Sequence, residues 1–128
     1  MISVVVPVYN GSDFLDGALE SIGNQGHADL EIVLVDDGST DGLALRAGQF
    51  RPPVRYLRQS NRGPAAARNL GIRSARGELL AFLDVDDCWT PGHLERLERA
   101  LLERPEAGIA QGRMQQVIVA PDGSERCS

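Results

Sequence analysis

The chain has 128 residues, enough for one domain with its own core, and 42% hydrophobic and 24% charged residues are typical of globular proteins. Its formal net charge of −5 argues against a nucleic-acid binder held by bulk electrostatics. It contains no lysine, which excludes a Walker A phosphate loop, and its longest apolar run is too short to span a bilayer. We expect one domain over residues 1–128.

Cysteine usage and the charge pattern add two expectations. Cys88 and Cys127 form no metal-binding or redox spacing, and no signal peptide is visible, so free thiols and a cytoplasmic location are expected. Residues 42–77 contain eight arginines and no acid. These arginines could bind an anion, although most of them are expected on the solvated surface.

Strands and helices alternate along the chain. Apolar runs predict strands at Ile2–Val8, Glu31–Val35, Val54–Leu57 and Leu79–Leu83. Helix starts are predicted at Ser12 as a cap, after the acidic run 36–41, at Pro64, and at Thr90-Pro91. This alternation predicts an α/β fold with a mainly parallel sheet and helices on both faces.

Several local expectations follow from the same patterns. The first helix should bury one apolar face, and the last should bury a leucine stripe; the residues are Phe14, Leu15, Ala18, Leu19 and Ile22, then Leu94, Leu97, Leu101 and Leu102. The strand at 79–83 should be buried. Weak strands are expected at 108–111 and 115–120, followed by a turn at 121–124 that should lead into a further strand.

Acids and one tyrosine follow three of the predicted strands. They are Tyr9, then Asp36 and Asp37, then Asp84, Asp86 and Asp87. Strands of a parallel sheet end at one edge, where ligands bind, so we expect these side chains to converge. Carboxylates held close together repel one another, and a magnesium- or manganese-type cation or a shared proton relieves that repulsion.

Each of these residues also has a structural interpretation. The Asp84–Asp87 loop could hold only an Asx-turn and a helix cap. Asp36 and Asp37 could cap a helix, or a carboxylate there could accept hydrogen bonds from a base or ribose. Tyr9 could pack or stack on a flat ring, and Arg68 could be a surface residue or a diphosphate partner.

Four segments together resemble the inverting family-2 glycosyltransferases of the GT-A, Rossmann-like fold. They are the stretches VVVPVYN at 4–10, IVLVDDGSTD at 32–41, NRGPAAARN at 61–69 and GELLAFLDVDD at 77–87. The resemblance implies that Pro7 and Tyr9 border the base of a nucleotide-sugar donor, that Asp37 hydrogen-bonds it, and that Arg68 lies near the nucleotide. It also implies that Asp84 meets the ribose or the metal, that Asp86 is the direct metal ligand, and that Asp87 supports the loop.

The resemblance implies transfer of a sugar from a nucleotide diphosphate, most often a uridine one, to an acceptor glycan or lipid-linked sugar. The cofactor would be Mn²⁺ or Mg²⁺, and the setting polysaccharide biosynthesis, with peripheral membrane association of a full-length protein as a further option. Independently of the resemblance, an incomplete sheet edge could pair with a second copy of the chain and form a homodimer. The family's general base lies in a second half, which we expect this chain to lack, so the catalytic base is not assigned and the chain is expected to be truncated.

Two rival interpretations remain open at the level of the sequence. The Leu83–Asp87 stretch also resembles aspartate-nucleophile phosphatases, in which Asp84 would attack phosphorus and Asp86 would act as acid. That family needs a downstream lysine, and this chain has none. The other alternative is a nucleotide-binding remnant or structural module without a catalytic half.

Overall fold

The computed structural model describes residues 1–127, with side chains to residue 125. The chain divides into two compact units, Met1–Gly92 and His93–Ser128. The prediction of one nucleotide-sugar-binding domain over 1–128 therefore stays a prediction, and each unit is described by itself. The side chain of Cys127 lies outside the described residues, while Cys88 is a free, exposed thiol.

The first unit is built on a four-stranded parallel sheet. The strands are β1 (Ile2–Val8), β2 (Leu30–Asp36), β3 (Arg55–Arg58) and β4 (Leu79–Phe82), in the order β3-β2-β1-β4. The two central strands, β1 and β2, are almost wholly apolar, as expected for strands covered on both faces. The register pairs Val8 with Asp36, so β1 and β2 end side by side.

Helices connect these strands. Helix α1 (Ser12–Gly23) joins β1 to β2, a 3-10 helix (Leu43–Arg46) lies between β2 and β3, and α2 (Pro64–Ser74) joins β3 to β4. The β1–β2 and β3–β4 connections run in opposite directions across the sheet. Because parallel crossovers are right-handed, α1 and α2 belong on opposite faces of the sheet. The mainly parallel sheet with its connecting helices confirms the predicted α/β fold. On the α2 face, Val33 and Val35 pack with Ala67, Leu57 and Leu70.

Three predictions about the first unit are wrong. Gly11, rather than Ser12, occupies the N-cap of α1, and the Ser12 hydroxyl makes no cap hydrogen bond. Phe14 is 60% exposed, because the rotation of α1 buries Leu15 and Leu19 instead. Strand β4 is not a buried strand: it is an edge strand of the described sheet, and Leu80 and Phe82 are 42% and 44% exposed.

The second unit contains α3 (His93–Glu103) and an antiparallel hairpin of β5 (Val117–Val119) and β6 (Glu125–Cys127). The hairpin confirms the turn predicted at 121–124. Helix α3 begins two residues beyond the predicted first position, Pro91. The predicted strand at 108–111 does not form. Leu102 is exposed, so it is not part of the predicted buried leucine stripe. Within the described residues, no helix is both long enough and apolar enough to cross a membrane.

Candidate functional site

A cavity of about 650 Å³ opens at the carboxyl ends of β1, β2 and β4. Parallel strands present their last residues at one edge, so loops that are distant in sequence meet there. The six residues with a predicted ligand role all line it: Pro7, Tyr9, Asp37, Arg68, Asp84 and Asp86. Asp36 and Asp87, also expected to converge at this edge, do not line it. The structure thus brings the predicted residues together, while the ligand role of each stays a prediction.

Asp36 lies at the end of β2 and is completely buried. Its carboxylate accepts hydrogen bonds from the Ser39 N–H at 2.8 Å, from Arg58 Nη1 at 2.6 Å and from the Tyr56 hydroxyl. Burial by itself would raise the pKa of Asp36, but the hydrogen bonds from Ser39 and Tyr56 and the charge of Arg58 outweigh it and lower that pKa. Asp36 is therefore a structural anion and does not line the cavity.

Asp37 is only 3% exposed but reaches the cavity wall. Its carboxylate accepts from Gln59 Nε2 and the Arg62 N–H, each at 2.8 Å, and from the Gly63 N–H at 2.9 Å. Burial would raise the pKa of Asp37, but these three hydrogen bonds prevail and lower it. A carboxylate has about four acceptor positions, so one remains for a ligand N–H.

The backbone beside Asp37 approaches the 59–63 loop closely. Gly38 has φ +83°, and a Cβ there would lie 2.8 Å from the Asn61 backbone nitrogen. Only glycine combines that φ with that proximity at low cost. This close approach holds the loop after β2 against the loop before α2, and Asp37 accepts hydrogen bonds from the N–H groups of Arg62 and Gly63 in that second loop. Neither Asp36 nor Asp37 caps a helix, so that alternative for the acidic pair is wrong.

The loop that carries Tyr9 is fixed by Asn10. Asn10 has φ +50°, its N–H donates to Ser39 Oγ at 3.0 Å, and its Oδ1 accepts from the Thr40 N–H at 2.8 Å. Asparagine tolerates this left-handed backbone better than most residues. Tyr9, which is half exposed, is therefore presented at the cavity by a loop tied to the β2 loop.

The acids after β4 are much less satisfied. Asp84 is 49% exposed and pairs with Arg68, whose Nη2 lies 2.7 Å from Oδ1. The Asp87 N–H donates to the Asp84 carbonyl and closes a turn around Val85 and Asp86. Asp86 is exposed, and among the described residues it has no hydrogen-bond or ion-pair partner. Burial, and then the charges of Asp86 and Asp84, raise the pKa of Asp87.

The carboxylates of Asp84 and Asp86 fit a cation that takes its other ligands from a substrate and from water. No group of three or more His, Cys, Asp or Glu side chains that could hold a metal occurs in residues 1–127 as described. Asp84 and Asp86 supply two carboxylates to the lining of the cavity. Mg²⁺ is characteristically held by one or two carboxylates together with substrate phosphate oxygens and water, so these residues fit such an ion once a diphosphate is present.

Sequence reasoning missed several residues of the wall, among them Gly11, Phe14, Asn61 and Val85. Gly11 directly follows Tyr9 and Asn10, and Val85 separates the two predicted metal ligands. Their closeness in sequence to predicted site residues is therefore a signal that could have identified both. Phe14 was assigned to a buried helix face by its spacing. No local signal distinguishes it from Leu15, because the rotation of α1 decides which of the two is covered.

The parallel sheet with its acidic cavity defines a GT-A-type, Rossmann-like α/β fold. TarS from S. aureus, crystallised as residues 1–349 with UDP-GlcNAc, is similar with a TM-score of 0.74 and 25% identity over 91% of this chain and 38% of that one. The mannosyltransferase PcManGT from Pyrobaculum calidifontis, in complex with GDP-Man and Mn²⁺, gives a TM-score of 0.64 and 32% identity over 71% of this chain and 29% of that one.

The chain belongs to glycosyl transferase family 2, whose family model matches residues 3–125. It is 38% identical to the putative teichuronic acid biosynthesis glycosyltransferase TuaG of Bacillus subtilis, over 97% of this chain and 50% of TuaG. It is 41% identical to the uncharacterized glycosyltransferase alr2836 of Nostoc, over 84% of this chain and 35% of that protein. The chain thus spans half or less of each of these proteins. Family membership favours the glycosyltransferase prediction over the phosphatase.

Proposed function

We propose that this chain forms the donor site of an inverting glycosyltransferase and binds a nucleotide diphosphate sugar in the cavity at the carboxyl edge of the sheet. The observation that carries the proposal is the convergence of Tyr9, Asp37 and Asp86 on one cavity. These residues come from three loops that are separated by up to 77 positions in the sequence, and a purely structural role would require a separate reason for each loop.

The base end of the donor belongs between Tyr9, Pro7 and Asp37. A half-exposed tyrosine beside a proline offers a flat apolar surface on which a base can stack. The remaining acceptor position of Asp37 suits a base that donates an N–H, as the imide of uracil does. The UDP-GlcNAc complex of TarS is consistent with a uridine donor, and the GDP-Man complex of PcManGT with a guanosine one.

The diphosphate end belongs at the Asp84–Asp86 turn. Exposed carboxylates at the site of an acidic protein would repel a diphosphate, and a bridging cation would relieve that repulsion. Asp86, with Asp84, would hold Mn²⁺ or Mg²⁺, which when bound neutralises charge on a departing diphosphate. The guanidinium of Arg68, already at the cavity wall, would then exchange part of its contact with Asp84 for a phosphate oxygen.

In the proposed reaction, an acceptor hydroxyl oxygen forms a bond to the anomeric carbon while the bond from that carbon to the diphosphate oxygen breaks. Attack from the opposite side inverts the configuration, and the hydroxyl proton passes to a general base. Asp37 already accepts three hydrogen bonds, and Asp84 and Asp86 would hold the metal, so none of them is assigned as that base. We propose a glycan or lipid-linked sugar as the acceptor, which the teichuronic acid relative supports.

Calorimetric titration of uridine diphosphate into the chain, with Mn²⁺ and with EDTA, tests the proposal. We expect affinity to rise by about tenfold or more with Mn²⁺, since the cation offsets the repulsion between the acids and the diphosphate. Uridine, which lacks the diphosphate, is the matched control and should show no manganese dependence. Absence of nucleotide binding under both conditions would contradict the proposal. Phosphate release from a generic phosphomonoester would instead favour the phosphatase.

A further inference from the structure

Gly11 is a buried glycine whose backbone does not require glycine. It occupies the N-cap of α1 with φ −112° and ψ 24°, a conformation with negative φ that is allowed to residues other than glycine. Its role must therefore be sought in the space where a side chain would lie. A Cβ at Gly11 would lie 2.7 Å from Val85 Cγ1, 3.3 Å from Val85 Cγ2 and 3.2 Å from Val8 Cγ2.

Val85 thus fills the position that a side chain at residue 11 would take. Valine is branched at Cβ and rotates little about χ1, so it cannot yield as a long flexible side chain would. A methyl group at residue 11 would have to displace the backbone of one of the two loops. Val85 stands between Asp84 and Asp86, in the turn closed by the hydrogen bond from the Asp87 N–H to the Asp84 carbonyl.

We propose that Gly11 is a positioning residue for the acidic turn. Because it has no side chain, Val85 can pack against the β1–α1 loop, and this packing fixes Asp84 and Asp86 where both line the cavity at its proposed diphosphate end. This inference rests on the proposed function. It assigns a role in the metal site to Val85, the middle residue of Asp-x-Asp, and to Gly11, which lies 74 positions earlier in the sequence and acts by positioning the turn.

The contact should affect the metal-dependent part of binding more than the base-dependent part. Mg²⁺ demands ligand distances of about 2.0–2.1 Å in near-octahedral geometry, so a displacement of a few tenths of an ångström at the turn matters. Asp37 is held by Gln59 and the 62–63 backbone, contacts that do not involve Val85. Gly11→Ala is therefore expected to reduce the gain in affinity produced by Mn²⁺ while leaving metal-free nucleotide binding nearly as it was.

A double-mutant cycle tests this relation. The variants are Gly11→Ala, Val85→Ala and the double variant, and each is titrated with uridine diphosphate in Mn²⁺ and in EDTA. Gly17→Ala is the matched control, because Gly17 lies exposed on α1 and a Cβ there would meet only Cys88 Sγ, at 3.9 Å. Thermal melting of every variant shows that it folds and measures whether residues 11 and 85 are coupled in stability.

We expect Gly11→Ala alone to reduce the manganese-dependent gain about tenfold, and to change it less than about twofold when Val85 is already alanine. Gly17→Ala should keep the full gain. If Gly11→Ala keeps the gain of the unsubstituted chain, or loses it equally in both backgrounds, the inference is overturned. If the unsubstituted chain itself gains nothing from Mn²⁺, the proposed function fails, and the inference fails with it.

Discussion

Two pairs of aspartates lie at the carboxyl ends of β2 and β4, the strands on either side of β1, and their surroundings differ. Asp36 and Asp37 at the end of β2 are 0% and 3% exposed and accept three hydrogen bonds each. After β4, Asp84 is half exposed with one partner, and Asp86 has none among the described residues. The comparison indicates that the β2 acids build the site, while the β4 acids keep their oxygens for a ligand.

The largest difference between the pairs should appear in stability. Asp36→Ala leaves Tyr56 and Arg58 without their shared acceptor, and we expect a loss of about 3 kcal/mol in the free energy of unfolding. Asp84→Ala removes only an exposed ion pair with Arg68 and should cost less than about 1 kcal/mol. Urea denaturation of both variants checks this, and equal costs would contradict the distinction between the two pairs.

The pH dependence of stability should follow the β2 pair. Burial opposes ionisation, but hydrogen bonds lower the pKa of both Asp36 and Asp37 in the folded state. The unfolded chain therefore takes up these protons at a higher pH than the folded chain. Their stabilising contribution is complete above an unfolded pKa of about 4 and is lost as pH falls through the folded pKa values.

Urea unfolding between neutral pH and pH 3 measures this loss. In Asp37→Asn, one of the two titrating groups is gone, so stability should fall less steeply with decreasing pH than in the unsubstituted chain. An unchanged steepness would mean that Asp37 does not carry its share of the acid sensitivity.

A smaller effect is expected for one donor to Asp37. Gln59→Leu removes the hydrogen bond from Nε2, and we expect a loss of about 1 kcal/mol because the other two donors remain. Ser60→Ala, at the exposed neighbouring position of the same loop, is the control and should lie within about 0.5 kcal/mol of the unsubstituted chain. A cost for Gln59→Leu no larger than that of the control would show that the amide does not support the carboxylate.

Much of the sheet could be predicted from the sequence because its signals are local. The β-branched run of β1, the run of β2 and the proline at the start of α2 each indicate an element within a few residues. Convergence of the strand ends followed from the rule for parallel sheets alone. The burial of β4 could not be predicted in this way, because it depends on which elements lie beside that strand.

The sequence also does not predict which of the two acidic pairs is hydrogen-bonded within the protein and which stays exposed. The donors that satisfy Asp36 and Asp37, such as Tyr56, Arg58 and Gln59, follow them by about twenty residues and reach them only through the pairing of β2 with β3. In the sequence, Asp36 and Asp37 look no different from Asp84 and Asp86, since each pair follows an apolar strand. Tertiary hydrogen bonds, and not residue type, decide which acids are available to a ligand.

The central claim is that the exposed acids after β4 bind a cation that holds a nucleotide diphosphate. The most direct measurement is the affinity for uridine diphosphate, with Mn²⁺ and with EDTA, of Asp86→Ala beside Asp13→Ala, an exposed aspartate outside the cavity. We predict that Asp86→Ala loses the manganese-dependent gain with unfolding free energy changed by less than about 0.5 kcal/mol, while Asp13→Ala keeps the gain. An Asp86→Ala variant that binds the nucleotide with unchanged manganese dependence would contradict the account.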